Sequence, residues 1–378
     1  MKSGLPVAAE FSWADVHTFR QRRHHLIERA PKSQLDCVVG DICGVQAQVM
    51  SFAELQIAVR VDCAVEDVRN ALWKRKALVK TWLMRGTLHL ARSGDLPVYT
   101  AAMRSYTLRN MATWLKYLKV SEPELMKLFD LIGQSLNGTP LTREELIAIV
   151  GKGQSEHINR AMRSGWGSVL KPAARRGDLC FGPNRGQSVT FVRPESWLGS
   201  WQELDQAEAM ADVARRYLRA YGPATKHDFA RWWGMWPGAG PTAWAGVKDE
   251  LVNVSVEGTL AQMLKADLKE IAKKPAAEPN TQLLPGFDPY LMGHAGRDHL
   301  FDKAHRWKVS RVSGWISPVV MVDGRVLGVW SHTVAKQRMK VEITPFAPLK
   351  PKVVKAAGQR AEAIASALGV KLDRVAVS

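Results

Sequence analysis

A repeated segment constrains this fold more than any other feature of the sequence. "PLTREELIAIVG" begins at Pro140 and "PATKHDFARWWG" begins at Pro223, and the two share Pro, Thr and Gly at the same positions. Conservative pairs fill three further positions, namely Arg143 with Lys226, Glu145 with Asp228, and Leu146 with Phe229. In each copy a threonine precedes a carboxylate by three residues, which is the capping-box pattern at a helix start. The repeat therefore predicts two copies of one helical unit.

Each copy follows a helical segment and precedes a candidate hairpin, "DLCFGPNRGQSVTFV" in one and "ELVNVSVEG" in the other. This layout is typical of a winged helix. A shorter echo, "PKSQLD" from Pro31, opens an earlier segment with its own candidate hairpin around Arg85 and Gly86. We therefore predict an α+β fold with three tandem winged-helix domains, at residues 1–120, 121–200 and 201–272. Two chance capping boxes with similar flanks are the alternative.

The remaining residues, 273–378, are predicted to hold a linker and a small C-terminal β module. The linker is "KKPAAEPN", from Lys273 to Asn280. In "VVMVDGRVLGVW" the Asp323-Gly324 pair between apolar runs predicts a hairpin with a type I′ turn. The strand "KVEITPF" continues the sheet, and a final helix is predicted from about Pro351 to Leu368.

Two helix starts are predicted on either side of the segment "CGVQAQVMS", which runs from Cys43 to Ser51. Ser33 with Asp36 forms one capping-box-like start, and Ser51 with Glu54 forms the other. Gly44 is the expected stop of the first helix. The residues from Val45 to Met50 are therefore expected to be extended or irregular.

Paired carboxamides lie in this segment, at Gln46 and Gln48. In an extended chain, side chains two residues apart point to the same side, so both amides would face one space. Amides do not ionise, yet they cost free energy when they are buried without a partner. Either they hydrogen-bond the local backbone, or they hold a water molecule or a ligand.

The charge balance points to a polyanionic partner. Lys and Arg number 53 against 36 Asp and Glu, which gives a formal net charge of +17 over 378 residues. Nucleic acid is the first candidate partner for such a surplus, and an inert basic surface is the alternative. No segment has the roughly 20 apolar residues needed to cross a bilayer, so no membrane association is expected. The four cysteines lack CxxC spacing and indicate reduced thiols in a cytoplasmic protein.

Two further segments carry polar residues with candidate roles. In "WLMRGTLHL", alternation places Arg85, Thr87 and His89 on one face of a strand, where they could contact a DNA backbone. A solvated strand face is the alternative.

The second segment is "FDPYLMGHAGR", in which Asp288, His294 and Arg297 are candidate DNA-binding or bracing residues. A structural Asp–Arg pair is the alternative there. His294, His299 and His305 lack helical spacing for a metal, so no metal site is predicted. No phosphate-binding loop, Gly-x-Ser-x-Gly elbow or paired acids are found either.

Taken in order, "GVQAQ", "LMRGTLHL" and "LLPGFDPYLMGH" make the chain resemble the AlkZ/YcaQ family of bacterial DNA glycosylases, from about Trp13 to Phe346. The resemblance implies three tandem winged helices and a C-terminal β module that form a concave DNA channel. It also implies excision of N7-alkylated purines, including bulky adducts and interstrand crosslinks. The family's catalytic motif is Gln, an apolar residue, then Gln or Asp, and Gln46 and Gln48 fill its polar positions. The Gln form resembles the AlkZ branch, whose members often protect antibiotic producers from their own DNA-alkylating product.

Two glutamines suffice for this chemistry in principle. An amide is not a general base, but an N7-alkylguanine is cationic already and leaves as a neutral base, so no acid is required. What remains is to position a water molecule and stabilise the sugar cation, and two amide oxygens can do both. We therefore expect a monofunctional DNA glycosylase without a cofactor. It would act as a monomer on double-stranded DNA that carries alkylated guanine or adenine.

The main alternative is a non-catalytic winged-helix DNA-binding protein or transcription regulator. Basic charge and winged helices fit that class equally well. The amide pair, which lies between helices rather than on a recognition helix, argues against it. Regulators of this kind also bind palindromes as dimers, whereas three units in one chain favour a monomer.

Overall fold

The computed structural model describes residues 6–165, 167–199, 202–234, 240–273 and 278–378, with the side chains of 105–111 not described. The fold is mixed α+β, as predicted. Its helices, in chain order, are α1 Trp13–Arg23, α2 Leu35–Asp41, α3 Met50–Ala58, α4 Val65–Trp73, α5 Leu96–Leu118, α6 Glu122–Ser135, α7 Arg143–Val150, α8 Glu156–Arg163, α9 Leu170–Arg176, α10 Pro194–Leu198, α11 Gln206–Tyr221, α12 Lys226–Trp233, α13 Gly240–Ala245, α14 Leu268–Ile271, α15 Pro289–Met292, α16 Arg306–Val309 and α17 Pro351–Ala367. None of the helices described is both long enough and apolar enough to cross a membrane.

The strands are short except in the C-terminal sheet. In chain order they are β1 Val7–Phe11, β2 Ala30–Pro31, β3 Val45–Gln46, β4 Val61–Asp62, β5 Leu78–Trp82, β6 Leu88–Arg92, β7 Leu141–Thr142, β8 Cys180–Arg185, β9 Ser188–Val192, β10 Leu251–Val256, β11 Thr259–Leu264, β12 Thr281–Leu284, β13 Val319–Val322, β14 Arg325–Ala335, β15 Arg338–Pro345 and β16 Lys371–Val377.

Contacts divide the chain into two compact units. Unit 1 combines Met1–Arg69 with Ala214–Ser378, and unit 2 is the continuous segment Asn70–Val213. The two parts of unit 1 are joined by strand β1, which pairs in parallel with β10. This division is coarser than the four domains expected from the sequence, and those boundaries stay a prediction.

Both capping boxes of the repeat are confirmed. Thr142 Oγ1 accepts the Glu145 amide at 3.2 Å, and Glu145 Oε2 accepts the Thr142 amide at 2.8 Å. Thr225 and Asp228 make the same reciprocal pair at 3.1 and 2.9 Å. The capped helices α7 and α12 therefore begin where the repeat places them.

The hairpins after both copies are also confirmed, as β8–β9 in unit 2 and β10–β11 in unit 1. In each copy the residues before the capped helix pair with the second hairpin strand. Leu141 and Thr142 pair with β9, and Ala224 forms a bridge with Gln262 of β11. This shared pairing supports a winged-helix topology for both copies.

The two capping boxes expected around the amide pair are wrong. A 3₁₀ turn at Lys32–Gln34 precedes α2, whose N-cap Gln34 makes no side-chain cap. Helix α3 starts after Val49, so Ser51 lies inside it. Glu54 is 4% exposed and receives Nε and Nη2 of Arg69 at 2.7 and 3.1 Å. Glu54 therefore pairs with Arg69, 15 residues away, and does not form the cap that the local spacing predicted.

The C-terminal sheet has the order β12-β13-β14-β15-β16. Asp323 and Gly324 have φ of 49° and 86°, as the predicted type I′ turn between β13 and β14 requires. Helix α17 packs its small residues, among them Ala357 and Ala361, into the core of this sheet. Strand β16, which pairs in parallel with β15, was not predicted. The predicted linker from Lys273 to Asn280 lies partly outside the described residues.

Candidate functional site

The amide segment begins with a sharp turn at the end of α2. Cys43 and Gly44 both have positive φ, 59° and 86°, and the Gly44 amide donates to Val39 O at 2.8 Å. Helix α2 ends at Asp41 with Ile42 as its C-cap, so the first left-handed residue after it is Cys43, and the predicted stop, Gly44, follows one residue later. The left-handed conformation of the non-glycine Cys43 costs about 1–2 kcal/mol. The turn directs the chain into strand β3, which ends at Gln46.

The two amides lie in different environments. Gln46 is 7% exposed, and no hydrogen-bond donor among the described residues contacts its Oε1. Gln48 is exposed and lies at a bend after the strand has ended. The extended periodicity that would turn both side chains to one side therefore does not continue to Gln48. A buried amide oxygen without a protein donor can accept a hydrogen bond from a water molecule.

Helix α3 holds the segment from its C-terminal side and is fixed by the motif "PGFDP". Gln56 Nε2 donates to Gly286 O at 2.8 Å. Arg60 forms a bidentate pair with Asp288, with Nη1 and Nη2 donating at 2.8 and 2.6 Å, and both side chains are fully buried. A Cβ on Gly286 would overlap the ring of Phe52 on α3, so glycine is required for this approach.

Helix α2 is fixed by the C-terminal end of the longer motif "LLPGFDPYLMGH" through two tyrosines of α11. Tyr221 Oη donates to Ile42 O at 3.0 Å, immediately before the turn at Cys43. Tyr217 Oη donates to Gly293 O at 2.7 Å, and a Cβ on Gly293 would overlap the Tyr221 ring. The segment 286–293 therefore secures both helices that flank the amides.

His294 is hydrogen-bonded by the buried side chain of Arg20. Arg20 is 3% exposed and donates to His294 at 2.7 Å, to Pro223 O at 2.8 Å and to Gly222 O at 3.3 Å. Burial, and next the charge of Arg20, hold the pKa of His294 well below its usual range, so its Nε2 is free to accept. Burial also lowers the pKa of Arg20 to about 10.

The other two candidates of the segment "FDPYLMGHAGR", Asp288 and Arg297, have different partners. Asp288 pairs with Arg60, which is the structural Asp–Arg pair that the sequence left open, but with a different arginine from Arg297. Arg297 Nη1 donates to Ser310 Oγ at 2.8 Å at the base of a surface turn. Both contacts are bracing contacts, and direct DNA binding by Asp288, His294 and Arg297 stays a prediction.

In unit 2, the candidate residues of "WLMRGTLHL" lie at the tip of the predicted hairpin, which is confirmed as β5–β6. Arg85 has φ of 57° and belongs to a turn at Met84–Gly86, so it does not alternate with Thr87 and His89 along one strand. His89 is 2% exposed, and burial, followed by the charge of Arg85, lowers its pKa to about 3. Its Nδ1 donates to Thr87 O at 2.9 Å, which leaves Nε2 to face Arg85 Nη2 at 3.4 Å. The neutral histidine therefore supports the half-buried guanidinium.

Sequence reasoning missed the residues that position the segment: Gln56, Arg60, Tyr217 and Tyr221. Gln56 and Arg60 are polar residues four apart in an otherwise apolar stretch, and both are 0% exposed. Two polar residues four apart in such a stretch are a detectable signal. Their partners, at sequence separations of 228 and 230, are not. Within the described ranges no group of three His, Cys, Asp or Glu residues could hold a metal ion.

The chain is similar to known DNA glycosylases. A family model described as "DNA glycosylase AlkZ-like" matches residues 39–369. A curated protein of Streptomyces sahachiroi, "Interstrand DNA cross-link repair glycosylase", is 40% identical over 368 residues, which cover 95% of this chain and 97% of that protein. A solved structure, "Streptomyces sahachiroi DNA glycosylase AlkZ", matches with a TM-score of 0.87 and 37% identity. The match covers 98% of this chain and 100% of the other.

Proposed function

The chain belongs to the AlkZ-like DNA glycosylase family, and from this premise we propose that it hydrolyses the N-glycosidic bond of N7-alkylated purines in double-stranded DNA. Gln46 and Gln48 are the proposed catalytic residues. The substrates are bulky natural-product adducts of guanine or adenine, interstrand crosslinks, or both. Membership of this family confirms the enzyme class predicted from the sequence. The identity of the DNA lesion and the catalytic roles of Gln46 and Gln48 are what we propose.

The reaction breaks the bond between C1′ and N9 of the alkylated purine. The electron pair of that bond moves to N9 and neutralises the positive charge of the alkylated ring, so the base leaves without an acid. The oxygen of a water molecule forms the new bond to C1′, and its proton passes to solvent. The enzyme contributes by positioning this water and by placing negative dipoles beside the sugar cation.

The unpartnered Oε1 of Gln46 is the observation that carries the proposal. A buried amide oxygen without a donor costs about 1–3 kcal/mol, which is recovered when a water molecule donates to it. In this proposal Gln48, which is exposed two residues further on, supplies the second amide. The turn at Cys43 and Gly44, together with the anchored helices α2 and α3, supports a fixed position for this pair.

Selectivity follows from the same chemistry. Without a strong general base, a normal nucleotide, whose base is uncharged and is a poor leaving group, is expected to persist. The curated relative is named for interstrand cross-link repair, which supports crosslinks as substrates here. We further propose that the enzyme provides self-resistance to a DNA-alkylating antibiotic.

The molecular organisation in this proposal is a monomer in the cytoplasm with three winged-helix units. Two of the units are supported by the repeated cap, short strand and hairpin described above. The proposed first winged helix, residues 1–120, is supported by the sequence echo at Pro31 and by the confirmed hairpin β5–β6.

The decisive experiment uses duplex DNA with a single N7-methylguanine. We expect the protein to release the modified base and leave an alkali-labile abasic site under single-turnover conditions. Replacement of Gln46 and Gln48 by alanine should lower the rate by at least 100-fold, since about 3 kcal/mol of positioning and dipolar stabilisation is removed. DNA affinity should stay within a few-fold.

Gln359→Ala is the matched control, because Gln359 is an exposed residue of α17, and it should excise at the parental rate. Undiminished release of methylguanine by the double variant would contradict the assigned roles. A large loss of DNA affinity in that variant would make the two amides binding contacts.

A further inference from the structure

An exposed apolar turn lies in unit 1 beside the anchors of the amide segment. We call residues Arg311–Trp315 the Val312 turn. Val312 is 87% exposed and Trp315 is 37% exposed, and Trp307, shortly before the turn, is 70% exposed. Large apolar side chains that project from a basic protein are typical of a surface that meets a partner.

The Val312 turn is tight and its base is braced. Ser313 and Gly314 have φ of 57° and 75°, and the Arg311 amide donates to Trp315 O at 2.8 Å. Ser310 and Ile316 form an antiparallel bridge at the base, and Arg297 holds Ser310 Oγ. Ser313 is not a glycine, so its left-handed conformation costs free energy. The turn from which Val312 projects is therefore strained.

The turn connects directly to the helix that follows the amides. The ring of Trp315 lies 5.9 Å from Phe52 of α3 and 5.1 Å from Phe287, measured between centroids. The Phe287 amide donates to Ile316 O at 3.3 Å. Phe52 is four residues beyond Gln48, so DNA that reaches the amides lies within reach of the turn.

Three cations, Arg306, Lys308 and Arg311, lie next to the exposed apolar residues along the chain. Arg306 and Arg311 are exposed, and Lys308 Nζ lies 5.5 Å from the centre of the Trp307 ring. In the part of the chain that the structure describes, none of these three forms an ion pair with a carboxylate. Unpaired cations around a projecting apolar tip match a phosphate backbone on either side of stacked bases.

We propose that the Val312 turn is a DNA wedge, in which Val312 inserts between base pairs next to the lesion while Arg306, Lys308 and Arg311 hold the flanking phosphates. Side chains of this kind kink and unstack a duplex in other DNA-binding proteins. The wedge exposes C1′ of the damaged nucleotide to Gln46 and Gln48 without full extrusion of a bulky base. This inference rests on the proposed function, because it assigns the turn to the same substrate.

The test separates unstacking from catalysis. A duplex carries N7-methylguanine with 2-aminopurine as its neighbour, and the protein carries Gln46→Ala and Gln48→Ala so that the substrate stays intact. Binding of this protein should raise the fluorescence of 2-aminopurine several-fold, because the base loses its stacking. Addition of Val312→Ser should remove at least half of that rise while the dissociation constant changes less than about threefold.

In the active protein, Val312→Ser should slow single-turnover excision about tenfold from a fully paired duplex. It should slow excision no more than about twofold when the lesion faces an abasic site, because that duplex is already partly unstacked. Val377→Ser, which changes a 41% exposed valine of β16, should leave fluorescence and rate unchanged.

Equal fluorescence with and without Val312→Ser would overturn the wedge, as would equal slowing on both duplexes. Equal effects of the Val312 and Val377 variants would do the same. Absence of excision by the parental protein is a different result, which contradicts the proposed function while the fluorescence still reports on the turn.

Discussion

Gln46 pairs a buried position with an unsatisfied acceptor, an arrangement that a core would not retain for stability alone. At 7% exposure its Oε1 is removed from bulk water, yet no described donor reaches it. The spacing of Gln46 and Gln48 was readable in the sequence. Their unequal exposure was not, because it depends on where the short strand β3 ends.

Gln46→Glu tests the absence of a titrating base. Neither amide ionises, so we expect the parental single-turnover rate to be flat between about pH 5 and 8. A buried glutamate has a pKa above its usual value of about 4.3. The variant's rate should therefore rise with pH through that pKa as the carboxylate forms. The measurement is the rate constant of excision of N7-methylguanine at each pH.

Gln359→Glu, which places the same carboxylate on the exposed side of α17, should retain the flat profile. A pH step in the parental protein like that of Gln46→Glu would reveal an acid that acts with the amides and would contradict the mechanism.

The buried pair of Arg60 and Asp288 supports a second prediction at this scale. Asp288→Asn leaves a guanidinium that is 0% exposed without its counter-charge, which should lower the free energy of unfolding by about 3–5 kcal/mol. Urea denaturation followed by circular dichroism measures the change.

Combining Asp288→Asn with Arg60→Gln removes both charges, so the double variant should lose less stability than the sum of the two single variants. Strict additivity would show that the ion pair does not couple the two positions.

At the scale of elements, local signals worked where partners are near in sequence. Caps at Thr142 and Thr225, the hairpins and the Asp323-Gly324 turn all depend on residues within a few positions of each other. The cap expected at Ser51 is absent because its partner Glu54 pairs with the more distant Arg69. Strand β16 needed β15 as a partner and therefore carried no clear local pattern.

The hairpin β5–β6 presents Arg85 at its tip, and this element supports a prediction about DNA binding. Arg85→Ala should weaken binding of duplex DNA and reduce the slope of log affinity against log salt by about 1, since one phosphate contact is lost. Fluorescence anisotropy at several salt concentrations measures the slope.

Arg374→Ala is a matched control, since Arg374 is an exposed arginine of β16. The same loss of slope in both variants would indicate a diffuse charge effect, and an unchanged slope for Arg85→Ala would exclude a phosphate contact at the tip.

At the scale of the whole molecule, neutral histidines couple folding to pH. Burial lowers the pKa of His17 and His89 to about 3, and it lowers the pKa of His24, His294 and His299 as well. Unfolded histidines bind protons near pH 6.5, so below that pH the unfolded state holds more protons. Stability is therefore complete above about pH 6.5 and is lost as the pH falls.

We expect the free energy of unfolding to decrease from pH 7 to pH 5 by up to about 1.4 kcal/mol per pH unit for each such histidine. Burial raises the pKa of Asp178, to about 6, and that of Asp267, and these carboxyls act in the opposite direction. His294→Gln keeps an acceptor for Arg20 and removes one titration, so the slope should become shallower by about one proton. Gln359→Ala, which changes an exposed residue of α17 that does not ionise, should leave the slope unchanged.

Composition and the repeat predicted the α+β class and the charged partner, because these are properties of the whole chain, whereas the family resemblance rested on three short motifs taken in order. The division into Met1–Arg69 with Ala214–Ser378 could not be predicted, since the pairing of β1 with β10 spans more than 240 residues.

That discontinuity sets the order in which a ribosome can complete this protein. Residues 70–213 leave the exit tunnel as one continuous stretch and can fold at once. The earlier residues must wait until β10 and the motif "LLPGFDPYLMGH" have been translated. Until then the residues of α1 and α3 that pack against the later part of the chain have no native cover. The proposed catalytic amides therefore gain their surroundings last, and no nascent fragment holds a complete candidate site for base excision.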